Sequence, residues 1–81
     1  MMIRLEQTNE CVPEQYDAYV GEEAVGYIRI RWGEMWVKCP GPLGELVYHL
    51  DECGYGMLTE KERAEHLPRA KEAIQEWVDQ R

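Results

Sequence analysis

Three cysteines, two histidines and one acid-rich turn are the groups in this sequence whose types and spacing could bind a metal or attack a substrate. Cys11, Cys39 and Cys53, with His49 and His66, are zinc-ligand types, but the cysteines are odd in number and no two form a Cys-x-x-Cys pair. That spacing indicates neither a disulfide framework nor a zinc ribbon, and reads better as small side chains in a reducing compartment. A Cys–His nucleophile pair lacks an activating neighbour, and the chain offers little material for a substrate cleft. The stretch DECGYGMLTEKE, residues 51–62, places Asp51, Gly56, Leu58 and Glu62 where an EF-hand loop needs its first ligand, its turning glycine, its apolar anchor and its last ligand. Cys53 and Tyr55 occupy positions where oxygen ligands are wanted. A glycine turn followed by a helix cap at Glu62 accounts for the same residues. The expectation is a protein that is not an enzyme and needs no cofactor, with a metal-binding protein as an alternative.

The stronger signal is YIRIRWGEMWVK, residues 27–38. The chain carries sixteen acidic residues against nine basic ones, yet this segment holds Arg29, Arg31 and Lys38 against Glu34 alone, with Tyr27, Trp32 and Trp36 among them. Trp, Tyr and Arg are the types that dominate binding hot spots. Alternation puts Ile28, Ile30 and Trp32 on one side and Tyr27, Arg29 and Arg31 on the other. Gly33-Glu34 fits a two-residue hairpin loop with glycine first, which predicts Trp32 opposite Met35, Ile30 opposite Val37 and Ile28 opposite Cys39. One face is then wholly apolar, and Arg31 stands across from Trp36 on the other.

Further strands are predicted at 2–6, at 16–20 and at 45–51, the last with Leu46, Tyr48 and Leu50 facing in. GEE, residues 21–23, reads as a hairpin loop, and the prolines and glycines of CPGPLG interrupt the sheet. Thr59 and Glu62 form a capping box that opens a helical segment. Its apolar stripe is Leu67, Ala70, Ile74, Trp77 and Val78, and Pro68 predicts a break. The result is one α+β domain over residues 1–81. It has an antiparallel sheet of about four strands, arranged as a meander, with the helical segment packed on one face. Tyr27, Arg29, Arg31, Trp36, Lys38 and Tyr19 are left on the other face as the candidate partner site, with His49 beside them. The loop-tip acids Glu22, Glu23 and Glu34 form a second candidate set.

A formal net charge of -7 opposes general nucleic-acid binding and favours basic protein surfaces. Direct nucleic-acid binding is therefore disfavoured, and a single-strand binder using the basic, aromatic sheet face is kept as an alternative. The N-terminal residues hold no apolar run of signal-peptide length and no segment suits a membrane span, which predicts a soluble, cytoplasmic protein. The uncovered sheet face is also a surface for homodimerisation.

The stretch YDAYVGEEAVGYIRIRWGEMWVKCP, with the GYG-to-helix segment, resembles small acidic proteins of phage or prophage origin. That resemblance implies a protein that binds and blocks a host protein, such as a nucleic-acid-processing defence enzyme, in the manner of anti-CRISPR or anti-restriction inhibitors. It brings no catalytic or ligand residues with it.

Overall fold

The computed structural model describes residues 3–9, 13–53 and 57–81. Five antiparallel strands form one open sheet in chain order: β1 (Arg4–Asn9), β2 (Glu14–Val20), β3 (Glu23–Arg31), β4 (Glu34–Cys39) and β5 (Glu45–Leu50). A single helix, α1 (Glu60–Gln80), follows and packs on β3, β4 and β5. The α+β meander is as expected, with one strand more than the expected four. Period-two alternation is strict where it matters, since Tyr16, Ala18, Ile28, Ile30, Met35 and Val37 are all buried on the helix side.

The hairpin between β3 and β4 departs from the predicted register. Its two turn residues are Trp32 (φ 55°) and Gly33 (φ 76°), both left-handed, so the turn is of the type I′ kind that matches the twist of paired strands. Arg31 therefore faces Glu34, Ile30 faces Met35, Arg29 faces Trp36, Ile28 faces Val37 and Tyr27 faces Lys38. The whole ladder has moved by two residues, and a two-residue move keeps every side chain on its original face. Trp32 alone changes place. It leaves the expected core and stands 60% exposed at the hairpin tip.

A second correction concerns β5. The ladder shifts between Val37 and Lys38, so Tyr48 pairs with Val37 but Leu46 pairs with Lys38. The irregularity turns Leu46 outward to 51% exposure, while Val47, Tyr48 and Leu50 pack against the core.

The helix does not break at Pro68. Thr59 caps it as predicted, its hydroxyl accepting from the Glu62 amide at 3.2 Å while Glu62 Oε1 accepts from the Thr59 amide at 2.9 Å. Pro68 lies exposed, as does Ala64, whose carbonyl one turn earlier loses its helical donor at a solvent-facing position. His66, Ala70, Ile74 and Val78, each four residues on, form the buried stripe. Ile74 sits directly over Gly26, where an added Cβ would come within 3.0 Å of Ile74 Cδ1 and 3.3 Å of Ala18 Cβ. The missing side chain at Gly26 is what lets helix and sheet approach so closely.

The helix is held at both ends by charge. Glu14, at the start of β2, is fully buried on the inner face and takes a forked contact from Arg63, Nε to Oε2 at 3.0 Å and Nη2 to Oε1 at 3.1 Å. The Leu58 amide donates to Oε1 at 2.9 Å and the Tyr16 hydroxyl to Oε2. Burial pushes the Glu14 carboxyl upward, but these donors outweigh it and hold the group below its ordinary value. The same burial, with the carboxylate beside it, pushes Tyr16 up to about 12. At the far end Arg81 forks onto Glu23 with both bonds at 2.8 Å, and Trp77 Nε1 donates to Glu45 at 2.8 Å. One face of the sheet is thereby closed. No part of α1 reaches the other.

Candidate functional site

The outer face is built from the other half of each alternating strand. Tyr27, Arg29 and Arg31 come from β3, Trp36 and Lys38 from β4, and with Trp32 and Pro42 they line one depression of about 370 Å³. Five of the predicted partner-site residues thus meet in one place. Tyr19, the sixth, does not line it: its ring lies under the Arg4 guanidinium, 4.8 Å from Cζ to centroid, nearer the β1 edge. Trp32 and Pro42 join the site unforeseen, Trp32 because it was expected in the core. The Trp32-Gly33 pair was itself the missed signal, since a type I′ turn needs a left-handed second residue and glycine supplies it.

The aromatic walls are held by neighbours. Trp36 stacks on His49 with centroids 6.0 Å apart, and His49 Nε2 lies 2.9 Å from Glu34 Oε1. Arg31 covers Trp32 with Cζ 4.1 Å from the ring centroid, a cation–π contact that fixes the exposed indole.

Charge is distributed unevenly over the molecule. Of the nine cations, Arg4, Arg63, Arg69 and Arg81 have carboxylate partners; Lys61 and Lys71 of α1 have none within ion-pair distance among the described residues, and neither do Arg29, Arg31 and Lys38 of the sheet. All three stand in the depression. The Arg29 Nε–H is buried and finds no acceptor there. Glu34 stands across the ladder from Arg31 but is bonded to His49 instead. A buried donor without an acceptor costs about 1–3 kcal/mol, a cost the fold carries on this face.

The second candidate set does not gather. Glu22 and Glu23 lie at the turn between β2 and β3, and Glu23 is engaged by Arg81. Glu34 begins β4 at the opposite end of the sheet, bonded to His49. Loop-tip carboxylates therefore do not ring one end of the molecule.

The other chemical groups are placed apart. Cys39 is buried in the core and Cys53 half-buried; burial, with Glu45 near the first and Glu62 and Glu34 near the second, pushes both thiols up to about 11. Neither is a thiolate at neutral pH. No group of three His, Cys, Asp or Glu side chains suited to a metal ion occurs among the described residues. Cys11 lies outside them, as do residues 54–56 of the calcium-loop reading. Within that reading, Glu62 serves the helix cap and Leu58 the core.

No protein-family model, curated protein or solved structure matches the chain. Among the described residues no helix is long and apolar enough to cross a membrane.

Proposed function

We propose that this protein is a binding module whose outer sheet face takes an acidic surface of a partner protein. One observation carries the reading: three cations without carboxylate partners among the described residues stand beside Tyr27, Trp32 and Trp36 on the one sheet face that α1 leaves uncovered. Large aromatics and arginines in one depression are the composition of binding hot spots. Desolvation by the partner strengthens their attraction to carboxylates, because the screening water is expelled. A second copy of the same face is a poor occupant, since an isologous contact sets Arg29, Arg31 and Lys38 against their own equivalents.

The finer reading is that the module occupies and blocks a functional surface of a host protein such as a nucleic-acid-processing enzyme. Its support is the resemblance of residues 16–40, with the GYG-to-helix segment, to small acidic phage proteins. The surface outside the depression is strongly acidic, which suits a partner with basic surface next to its acidic one.

The test is affinity capture with folded wild type and with Arg29→Ala/Trp36→Ala, both verified by circular dichroism. The expected result is a partner held by the wild type and lost by the double variant. Identical capture by both removes the outer face from the reading.

A nucleic-acid reading rests on a separate observation, that aromatic rings and cations alternate on an open sheet face as they do on single-strand platforms. Fluorescence anisotropy with a labelled single-stranded oligonucleotide checks it. Affinity that falls steeply from low to high salt supports it, and no binding at low salt eliminates it.

A further inference from the structure

The ends of the depression say what kind of acidic segment it fits, an inference that rests on the binding reading above. The described residues include four large apolar side chains left exposed: Trp32, Leu43, Leu46 and Met57. Three of the four flank the cationic row. Trp32 closes its hairpin end, while Leu46 is the cross-strand partner of Lys38 at the other. Pro42 lines the depression there and also borders a second, apolar hollow formed by Ala24, Pro40, Gly41, Leu43 and Gly44. Leu43 is 100% exposed and touches none of the core, so its place at the mouth of that hollow has no internal purpose in packing. The surface is one strip that begins aromatic, becomes cationic and ends apolar.

The register gives the strip a spacing. Arg31 and Arg29 are two residues apart on β3, and Lys38 faces Tyr27, two residues further along the same line. Successive charges therefore stand at steps of roughly 7–8 Å, from a rise of about 3.4 Å per residue and a strand separation of about 4.8 Å. An extended peptide presents every second side chain to one side at nearly the same repeat. A helix presents its facing residues at steps near 5–6 Å and falls out of step within two turns.

We propose that the strip docks an extended acidic segment of a partner protein, with carboxylates at every second residue and an apolar residue two positions beyond the last. The carboxylates lie over Arg31, Arg29 and Lys38, each paired with the cation beneath it. The apolar residue rests on Pro42, Leu43 and Leu46. The strip's length sets the recognised segment at about seven residues.

End-blocked heptapeptides test this by calorimetry with the intact protein. One carries glutamates at its first, third and fifth positions and leucine at its seventh, with serine between; a second has the reversed order. A third has the same composition with its glutamates contiguous. The better of the two alternating peptides is expected to bind at least ~10-fold tighter than the contiguous one, the loss of one or two matched charge contacts. Leu43→Ser should weaken that peptide by ~3–10-fold and leave a leucine-free version unchanged, since only the apolar contact is removed. Equal affinity for alternating and contiguous peptides overturns the proposed spacing while leaving an acid-binding face. No binding of any acidic peptide overturns both that face and the strip. Tight binding of an oligothymidylate with none of the peptides overturns them in favour of nucleic acid.

Discussion

The two faces of this sheet are made from alternate residues of the same strands, and they are completed in different ways. On the inner face Glu14 is as buried as Ile30, yet its carboxylate accepts from Arg63, Tyr16 and the Leu58 amide. On the outer face the Arg29 Nε–H has no acceptor among the described residues. The inner face has one such atom too, His66 Nδ1, with Nε2 lying 4.0 Å from Glu65. An imidazole nitrogen is donor or acceptor according to the tautomer, however, whereas a guanidinium N–H is always a donor. A charge buried on the inner face is neutralised by the chain itself. Among the described residues, charges on the outer face are assembled without carboxylate partners, beside partly exposed rings, and this difference is what supports the proposed binding face.

The comparison breaks most readily at Glu14. Glu14→Ala should lower stability by about 3–5 kcal/mol, because it orphans the buried amide and hydroxyl and releases the helix from β2. Urea denaturation measures it. The carboxyl of Glu14 lies below its ordinary value in the fold, so its contribution is present above the unfolded value and is lost as pH falls through the folded one. Glu14→Gln should therefore flatten the acid limb of the stability profile. A variant whose acid limb matches the wild type would show that Glu14 is not the group being titrated.

Apolar packing on the same face gives the next largest effect. Ile30 is fully buried, and Ile30→Ala is expected to cost about 2–5 kcal/mol through the cavity it leaves. A loss below 1 kcal/mol, read from the same denaturation curves, would mean that the helix repacks and that the two faces differ less than described.

Outer-face truncations should behave in the opposite manner. Arg29→Ala and Trp36→Ala are expected to change stability by less than about 1 kcal/mol, since neither side chain enters the core. Each should weaken partner binding by about 2 kcal/mol or more, some thirtyfold. A large stability loss without a binding loss would turn the outer face into a structural surface.

The smallest effect sharpens the register. Asparagine before glycine is the preferred type I′ pair and tolerates a left-handed backbone, whereas Trp32 adopts it with a bulky side chain. Trp32→Asn should leave stability unchanged or raise it by up to about 1 kcal/mol, after losing the Arg31 contact. Thermal unfolding distinguishes this from a buried Trp32, for which the same change would cost about 3–5 kcal/mol.

Much of this was legible without coordinates. Alternation in residues 27–39 assigned Ile28, Ile30, Trp32, Met35 and Val37 to one face and Tyr27, Arg29, Arg31, Trp36 and Lys38 to the other, and all but Trp32 hold. Thr59 and Glu62 announced the helix start because a capping box is satisfied within four residues. Local sequence determined these features because each depends on neighbours along the chain. The register, by contrast, was decided between strands: a shift of two residues leaves every face intact, so alternation cannot choose between Gly33-Glu34 and Trp32-Gly33, and only the twist of the closed hairpin does. Nothing local marks Glu14 as a buried group, because the partners that hold it, Arg63 and Leu58, are forty-nine and forty-four positions away. Pro68 reads locally as a breaker, yet the buried stripe on both sides of it keeps the helix whole. The strip from Trp32 to Leu43 likewise exists only once β3, β4 and the loop after β4 lie side by side, because its charges and apolar ends come from segments that no local pattern joins.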